Sequence, residues 1–217
     1  MVEIISAAEA VKLIKPGDSI LISGFLAVGA PECLIDALVT ENTKDLHMVV
    51  IATDWENRGT GKLVVNRQIK SCQISHMGTN KQTQEQYKSG ELSVELVPQG
   101  TLMERVRAAG AGLGGILTPT GLGTIVEEGK DIIQVDGKPF ILEKAIHGDF
   151  ALVKAWKADK MGNLVYRKTA RNSNPIMAMA GKITIAEVDE IVEVGELDPE
   201  AIATPGIFVD YLVLKGE

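Results

Sequence analysis

Short apolar runs that alternate with helix-like segments constrain the fold of this chain more than any other feature. Residues 19–23, 46–52, 69–75 and 92–97 are short runs dominated by apolar side chains. Strands that are apolar on both faces need cover on both sides, and strands joined through helices run parallel. We therefore predict an α/β fold with an open, largely parallel sheet covered by helices on both faces.

The helices between these runs carry their own start and stop signals. Ser6 and Glu9 form a capping box, which predicts a helix over residues 7–14. Pro31 fits the first position of the next helix, and Gly90 closes a helix over residues 83–89. A further helix is predicted over residues 100–109.

The second half of the chain departs from this alternation. Asp136 and Gly137 stand between two apolar runs, which predicts a β-hairpin with a two-residue turn. Seven of the 20 residues from 110 to 129 are glycine, so this segment is predicted to lack regular structure. Further strands are predicted at 150–156, 183–186 and 207–214, and Asn174-Pro175 opens or breaks a helix. We expect one domain over residues 1–217, with the hairpin as a small insert.

Charge and composition exclude several classes of protein. The 217 residues include 22 basic and 29 acidic side chains, giving a net charge of −7, whereas nucleic-acid binding needs a basic face. The longest weakly interrupted apolar run, residues 20–30, is shorter than the ~20 residues of a membrane span. No secretory signal is recognised at the amino terminus, so a cytoplasmic location without membrane contact is expected.

The cysteines and histidines indicate neither a disulfide nor a metal site. Cys33 and Cys72 stand in apolar surroundings and are predicted to be small buried hydrophobes. The three histidines lie far apart in the sequence, which argues against a shared metal ion.

A turn after the first buried run is the best-placed candidate binding site. It leaves a strand end and enters a helix, where unpaired backbone N–H groups favour anions. A phosphate or carboxylate site and a turn needed only for chain reversal both remain open. The residues of this 23–29 loop are Ser23, Gly24, Phe25, Leu26, Ala27, Val28 and Gly29.

Gln99 occupies a similar place after another run. Its side-chain amide could donate to a developing oxyanion, although a glutamine at a helix start is more often a capping residue. Arg105 and Arg107 follow in the same helix and are predicted to be solvated charges.

Residues 110–115 contain the spacing G-x-G-x-x-G of dinucleotide-binding proteins. In those proteins the motif follows a strand and opens a helix. Here it follows a predicted helix and leads into Thr118-Pro119, so NAD binding is rejected. The segment is predicted either to pass tightly over the sheet or a partner chain, or to cover a ligand.

Together these segments resemble the alpha subunits of 3-oxoacid coenzyme A-transferases. The matching segments run in order along almost the whole chain, which makes the resemblance far more specific than any one motif. They are residues 23–31, 75–80, 97–102, 110–130, 170–172 and 204–206. Two positions depart from the family pattern: Pro16 stands where aspartate is usual, and Ser23 where a first glycine is usual.

The resemblance implies a mechanism shared between two chains. Family enzymes move coenzyme A (CoA) between carboxylic acids such as acetate or butyrate and a 3-oxoacid, through a glutamyl-CoA thioester. The reactive glutamate lies in the beta subunit within Ser-Glu-Asn-Gly, and this chain contains no such run. The resemblance implies an α2β2 assembly, with CoA thioesters as substrates and no permanently bound cofactor or metal.

The resemblance also assigns roles to the candidate residues. The 23–29 loop matches the CoA-binding segment, Gln99 matches an oxyanion-hole donor, and residues 110–123 face the substrate and the partner. Two other classes stay open at this point. One is a stand-alone sugar-phosphate isomerase of similar fold, and the other is a non-catalytic acyl-CoA-binding subunit.

Overall fold

A computed structural model describes residues 2–216 of the chain. Its helices are α1 (Ala7–Val11), α2 (Glu32–Glu41), α3 (Gly61–Val65), α4 (Lys81–Ser89), α5 (Gln99–Gly110) and α6 (Asn174–Ala178). The first strands are β1 (Glu3–Ile4), β2 (Ser19–Ile22), β3 (Leu46–Val49), β4 (Ile69–Ile74), β5 (Ser93–Leu96) and β6 (Gly115–Thr118). They are followed by β7 (Ile132–Val135), β8 (Lys138–Lys144), β9 (Gly148–Asp159), β10 (Leu164–Val165), β11 (Gly181–Val192) and β12 (Tyr211–Leu214).

The main sheet is parallel along its whole path, as predicted. Its strand order is β1-β12-β11-β9-β2-β3-β4-β5, and β10 adds an antiparallel pair to β9. Ile20 and Ile22 of β2 pack into a cluster with α1, α2 and α3, whereas Leu21 packs into a second cluster with α5 and α6. All three side chains are fully buried, so helices on both faces remove both sides of the strand from water.

The predicted hairpin is confirmed and belongs to a separate three-stranded antiparallel sheet of order β6-β8-β7. Asp136 and Gly137 both have positive φ, 50° and 71°, as a two-residue turn of this kind requires. The prediction that residues 110–129 lack regular structure is wrong for β6, which pairs with β8 from Gly115 to Thr118. Pairing with an available strand edge outweighs the poor strand propensity of glycine.

Most predicted elements are confirmed, with shifts at their ends. Ser6 and Glu9 make both bonds of the capping box, but α1 ends at Val11 rather than at residue 14. Asn174 opens α6 with proline at its start, and Gly90 closes α4 in the left-handed region. The last predicted strand begins only at β12, because residues 206–208 form a 3₁₀ turn. The short elements α3, β1 and β10 carried no signal that we recognised.

The thiols and the surface agree in part with the sequence predictions. Cys72 is buried, and this burial raises the pKa of its thiol to about 12, whereas Cys33 is only half-buried. Within residues 2–216, no helix has the length and apolar character needed to cross a membrane. In the same range, no cluster of acidic, histidine or cysteine side chains is arranged to hold a metal ion.

Candidate active site

The predicted site residues lie at one edge of the main sheet, beyond the carboxyl ends of neighbouring strands. The 23–29 loop follows β2, and Gln99 follows β5. β3 and β4 stand between these two strands, so the loop and the glutamine start from strands roughly 14 Å apart. The structure therefore places both on the same edge, and the loops after β3 and β4 fill the space between them.

The 23–29 loop is a tight reversal with a strained backbone. Phe25 and Val28 exchange two backbone hydrogen bonds of 3.1 and 2.9 Å around Leu26 and Ala27. The φ angles of Leu26 and Ala27 are 49° and 65°, a region that side chains other than glycine seldom occupy. Contacts from the rest of the protein must therefore hold this shape.

One of these contacts comes from Asp54, in the loop after β3. Its Oδ1 accepts a 3.0 Å hydrogen bond from the Ala27 amide, and its Oδ2 accepts from the amide and the hydroxyl of Thr60. Asp54 is only 1% exposed. Burial raises the pKa of its carboxyl above the ordinary value, while the hydrogen bonds from Thr60 and Ala27 act in the opposite direction.

Residues 75–80 support Asp54 from the next loop along the sheet. Thr79 donates a 2.7 Å hydrogen bond to the Asp54 carbonyl, and Asn80 donates to the Thr53 carbonyl at 3.0 Å. Asn80 also caps α4 by accepting from the Thr83 amide. This motif therefore acts on the 23–29 loop through Asp54, a residue that the sequence analysis did not single out.

The backbone N–H groups at the start of α2 are not open to an anion, contrary to our expectation. Glu187 of β11 accepts hydrogen bonds from the amides of Cys33 and Leu34, at 2.8 and 3.2 Å. Glu187 is 1% exposed, and Lys154 lies 3.4 Å from its other carboxylate oxygen. The protein thus supplies its own carboxylate at this helix end, and any ligand of the 23–29 loop must bind elsewhere on it.

Gln99 is exposed and does not cap its helix. Ser75 contacts Gln99 Oε1 at 2.6 Å and the Ile51 carbonyl at 2.8 Å, but its hydroxyl carries one proton. The Ile51 carbonyl already accepts from the Ser75 amide at 3.0 Å, so the hydroxyl proton is best used on Gln99. This orientation leaves the side-chain N–H₂ of Gln99 to act as a donor.

The two arginines of α5 differ, and the prediction of solvated charges is wrong for one of them. Arg105 is 8% exposed and donates to Glu95 and to the Lys144 carbonyl, both at 2.8 Å. It also lies 3.5 Å from the buried carboxylate of Glu143. Arg107 is solvated and pairs with its neighbour Glu104, as predicted. Arg105 therefore joins α5 to the small sheet.

The rejection of a dinucleotide site agrees with the order of elements. The G-x-G-x-x-G spacing begins at the last residue of α5 and ends at the first residue of β6. A dinucleotide-binding motif has the reverse order, strand before helix.

Comparison with known proteins identifies the family. The family model described as coenzyme A transferase matches residues 4–215. The probable alpha-type chain of the succinyl-CoA:3-ketoacid coenzyme A transferase of Bacillus subtilis (strain 168) is 54% identical over 96% of this chain and 88% of its own length. The alpha subunit of the acetate CoA-transferase of Escherichia coli K12 is 43% identical over 99% of this chain and 98% of its own.

Solved structures share the fold. The acyl-CoA transferase YdiF of Escherichia coli O157:H7, solved as a thioester complex with CoA, matches 99% of this chain with a TM-score of 0.91 and 24% identity. This chain spans about half of that protein, 47% of its length. Glutaconate coenzyme A-transferase from Acidaminococcus fermentans matches with a TM-score of 0.86 and 21% identity, over 98% of this chain and 75% of its own. The chain therefore belongs to the coenzyme A transferase family.

Proposed function

We propose that this chain is the alpha subunit of a two-subunit CoA-transferase that exchanges CoA between a short-chain carboxylic acid and a 3-oxoacid. The family match over residues 4–215 carries the proposal, and the names of the relatives support the division into two chains. The substrates are CoA thioesters such as acetoacetyl-CoA, with acetate or butyrate as the acceptor. The reaction needs no permanently bound cofactor or metal, and the cytoplasm is its proposed location.

The nucleophile of the reaction is a carboxylate of the partner subunit. This carboxylate attacks the thioester carbonyl, and the tetrahedral intermediate collapses to an acyl-glutamyl anhydride with release of CoA thiolate. The thiolate then attacks the glutamyl carbonyl, which forms the glutamyl-CoA thioester and releases the first acid. The second acid reverses these steps. Each tetrahedral intermediate carries an oxyanion that needs hydrogen-bond donors.

Gln99 is the donor that this chain contributes. Its amide is exposed at the sheet edge, and the contact with Ser75 fixes Oε1, so the N–H₂ group can meet an oxyanion. Ser75 thereby orients an amide that would otherwise rotate freely. A donor held in place before the reaction stabilises the transition state more than one that must reorient.

The 23–29 loop is the proposed CoA-binding segment, formed by the seven residues from Ser23 to Gly29. Among residues 2–216, the amides of Leu26 and Gly29 have no acceptor, so both can donate to the ligand. The side chains of Phe25 and Val28 are 43% and 47% exposed, which gives apolar contact for the pantetheine arm. Gly24, Ala27 and the buried Ser23 set the shape of the turn.

A partner subunit of similar size completes the enzyme, in a proposed α2β2 assembly. Within YdiF this chain corresponds to 47% of one polypeptide, which leaves room for a second half. Leu117, Ile133 and Val135 lie on one face of the small sheet and are 42%, 39% and 39% exposed. Exposed apolar patches mark protein contacts, so residues 110–123 and this sheet are proposed to face the partner. Residues 1–217 form one domain in this proposal.

The first experiment is a native mass measurement of the chain purified gently from its own cells. The proposal expects a second chain of similar size that contains Ser-Glu-Asn-Gly, together with CoA exchange by the complex. A homo-oligomer that turns over substrate alone would contradict it and favour a stand-alone enzyme. A partner without a reactive glutamate would indicate a non-catalytic subunit.

Gln99→Ala tests the donor role. Removing one oxyanion donor should lower kcat by about 10²–10³-fold while the complex still assembles. The matched control is Gln82→Ala, which removes an amide that bonds Glu85 on the surface of α4. Activity of the Gln99→Ala complex within a few-fold of the wild type would remove Gln99 from the mechanism.

A further inference from the structure

Three consecutive side chains between β10 and α6 bond to the backbone of the 23–29 loop from the other end of the sequence. Asn172 Nδ2 donates to the Val28 carbonyl at 2.9 Å, and Asn174 Nδ2 donates to the Gly29 carbonyl at 3.0 Å. Ser173 Oγ accepts from the Gly24 amide at 3.1 Å. Each of these partners is 144 to 149 residues away in the sequence.

This segment is itself fixed to the middle of the main sheet. Asn174 is fully buried, and its Oδ1 accepts a 2.7 Å hydrogen bond from the Lys154 amide in β9. β9 is the direct neighbour of β2, the strand from which the 23–29 loop leaves. Asn174 Nδ2 also donates to the Ala170 carbonyl at 2.7 Å. The position of the loop is therefore referred to the sheet twice, through β2 and through β9.

Together with Asp54, these contacts hold the loop on two sides. Asp54 bonds the Ala27 amide from the β3 side, and residues 172–174 bond Gly24, Val28 and Gly29 from the β9 side. The hydrogen bonds occupy the groups that flank the two strained residues of the turn. They leave the amides of Leu26 and Gly29 without an acceptor among residues 2–216.

We infer that Asn172, Ser173 and Asn174 are positioning residues that set the 23–29 loop for acyl-CoA. They act through the loop backbone. Since the loop is strained at two positions, its bound shape would be only one of several shapes without these contacts. Each lost hydrogen bond would lower the fraction of the binding-competent shape and raise the apparent dissociation constant. The inference rests on the proposed function.

The test compares variants in the assembled two-subunit complex, with acetoacetyl-CoA and acetate as substrates. Asn172→Asp is the first variant, because Asn172 is exposed and aspartate keeps the oxygen that accepts from the Ser173 amide at 2.6 Å. It removes only the donor to Val28 and to the Thr169 carbonyl. Ser173→Ala is the second variant and removes the acceptor for Gly24.

We expect the KM for acetoacetyl-CoA to rise about 3- to 10-fold in each variant, the effect of one net hydrogen bond, with kcat changed less than two-fold. Hydrogen exchange of the backbone in residues 23–30, measured without substrate, should accelerate by a similar factor. Asn66→Ala is the matched control. Asn66 donates to the Val39 carbonyl near the far end of α2 and should change neither readout.

The two readouts separate the possible failures. Unchanged exchange in both variants would overturn the inference, because the loop would then keep its shape without these bonds. Faster exchange with an unchanged KM would overturn the role in acyl-CoA binding. A wild-type complex without CoA exchange would contradict the proposed function instead, while the exchange data would still decide whether residues 172–174 hold the loop.

Discussion

The 23–29 loop and the 110–129 segment both depend on glycine, but for different physical reasons. In the loop, a Cβ at Gly24 would lie 2.9 Å from the Ala30 nitrogen, and one at Gly29 would lie 2.9 Å from the Ala170 oxygen. Both distances are shorter than real Cβ contacts, so glycine is required there by close packing as well as by its positive φ.

The 110–129 segment is more open. No described heavy atom lies within 4 Å of a Cβ placed at Gly112, Gly114, Gly123 or Gly129. Its turns close on themselves, as in the bonds from Thr124 to Gly121 and from Glu127 to Thr124. The other three glycines do meet neighbours: Gly110 at Met179, Gly115 at Glu143 and Gly121 at Val126.

The comparison shows that glycine content alone does not identify a binding loop. Distant parts of the chain impose the shape of the 23–29 loop, whereas most of the 110–129 segment is shaped by its own turns. A loop held from outside is set before a ligand arrives, which reduces the entropy lost on binding. Three substitutions test this difference, from the largest expected effect to the smallest.

Gly29→Ala should have the largest effect. The new methyl group would meet the Ala170 backbone, and φ at this position is 78°. The free energy of unfolding should fall by at least about 2 kcal/mol, measured by urea denaturation, and CoA exchange should be lost with it. An unfolding midpoint equal to that of the wild type would show that the loop yields easily.

Asp54→Asn should have an intermediate effect. Asparagine offers one acceptor oxygen, and its N–H₂ would face the donors of either Ala27 or Thr60. Leaving a buried donor unpaired should lower the free energy of unfolding by about 1–3 kcal/mol. Asp136→Asn is the control, because asparagine suits the hairpin turn equally well. Equal unfolding curves for the two variants would mean that Asp54 does not hold the loop.

Gly114→Ala should have the smallest effect. Its φ is not in the left-handed region, and its Cβ would meet no described atom. Reduced freedom of the unfolded chain should make the variant as stable as the wild type, or more stable by up to about 1 kcal/mol. A loss of stability in urea would contradict the view that this part of the segment is open.

Several features of the fold were predictable because their signals are local. The capping box of Ser6 and Glu9, the Asp136-Gly137 turn and the apolar strands each lie within a few residues. The collinear motifs also indicated the family that the comparisons identify. The placement of Gln99 and the 23–29 loop at one sheet edge followed from parallel strands, whose carboxyl ends meet there.

Other features had no local signal. Arg105 looked like a surface charge until Glu95, Glu143 and the Lys144 carbonyl were brought around it. The anion site expected at the start of α2 was taken by Glu187, 154 residues from Cys33.

The sequence by itself determined the class of fold, the hairpin and the family, because periodicity, turn chemistry and motif order are properties of neighbouring residues. Only the tertiary structure decided how the 23–29 loop is held. Asp54, Ser173 and Asn174 reach it from different strand ends, and no spacing along the chain encodes that meeting. The reason is physical: side-chain hydrogen bonds act over about 3 Å in space, whatever the separation in sequence.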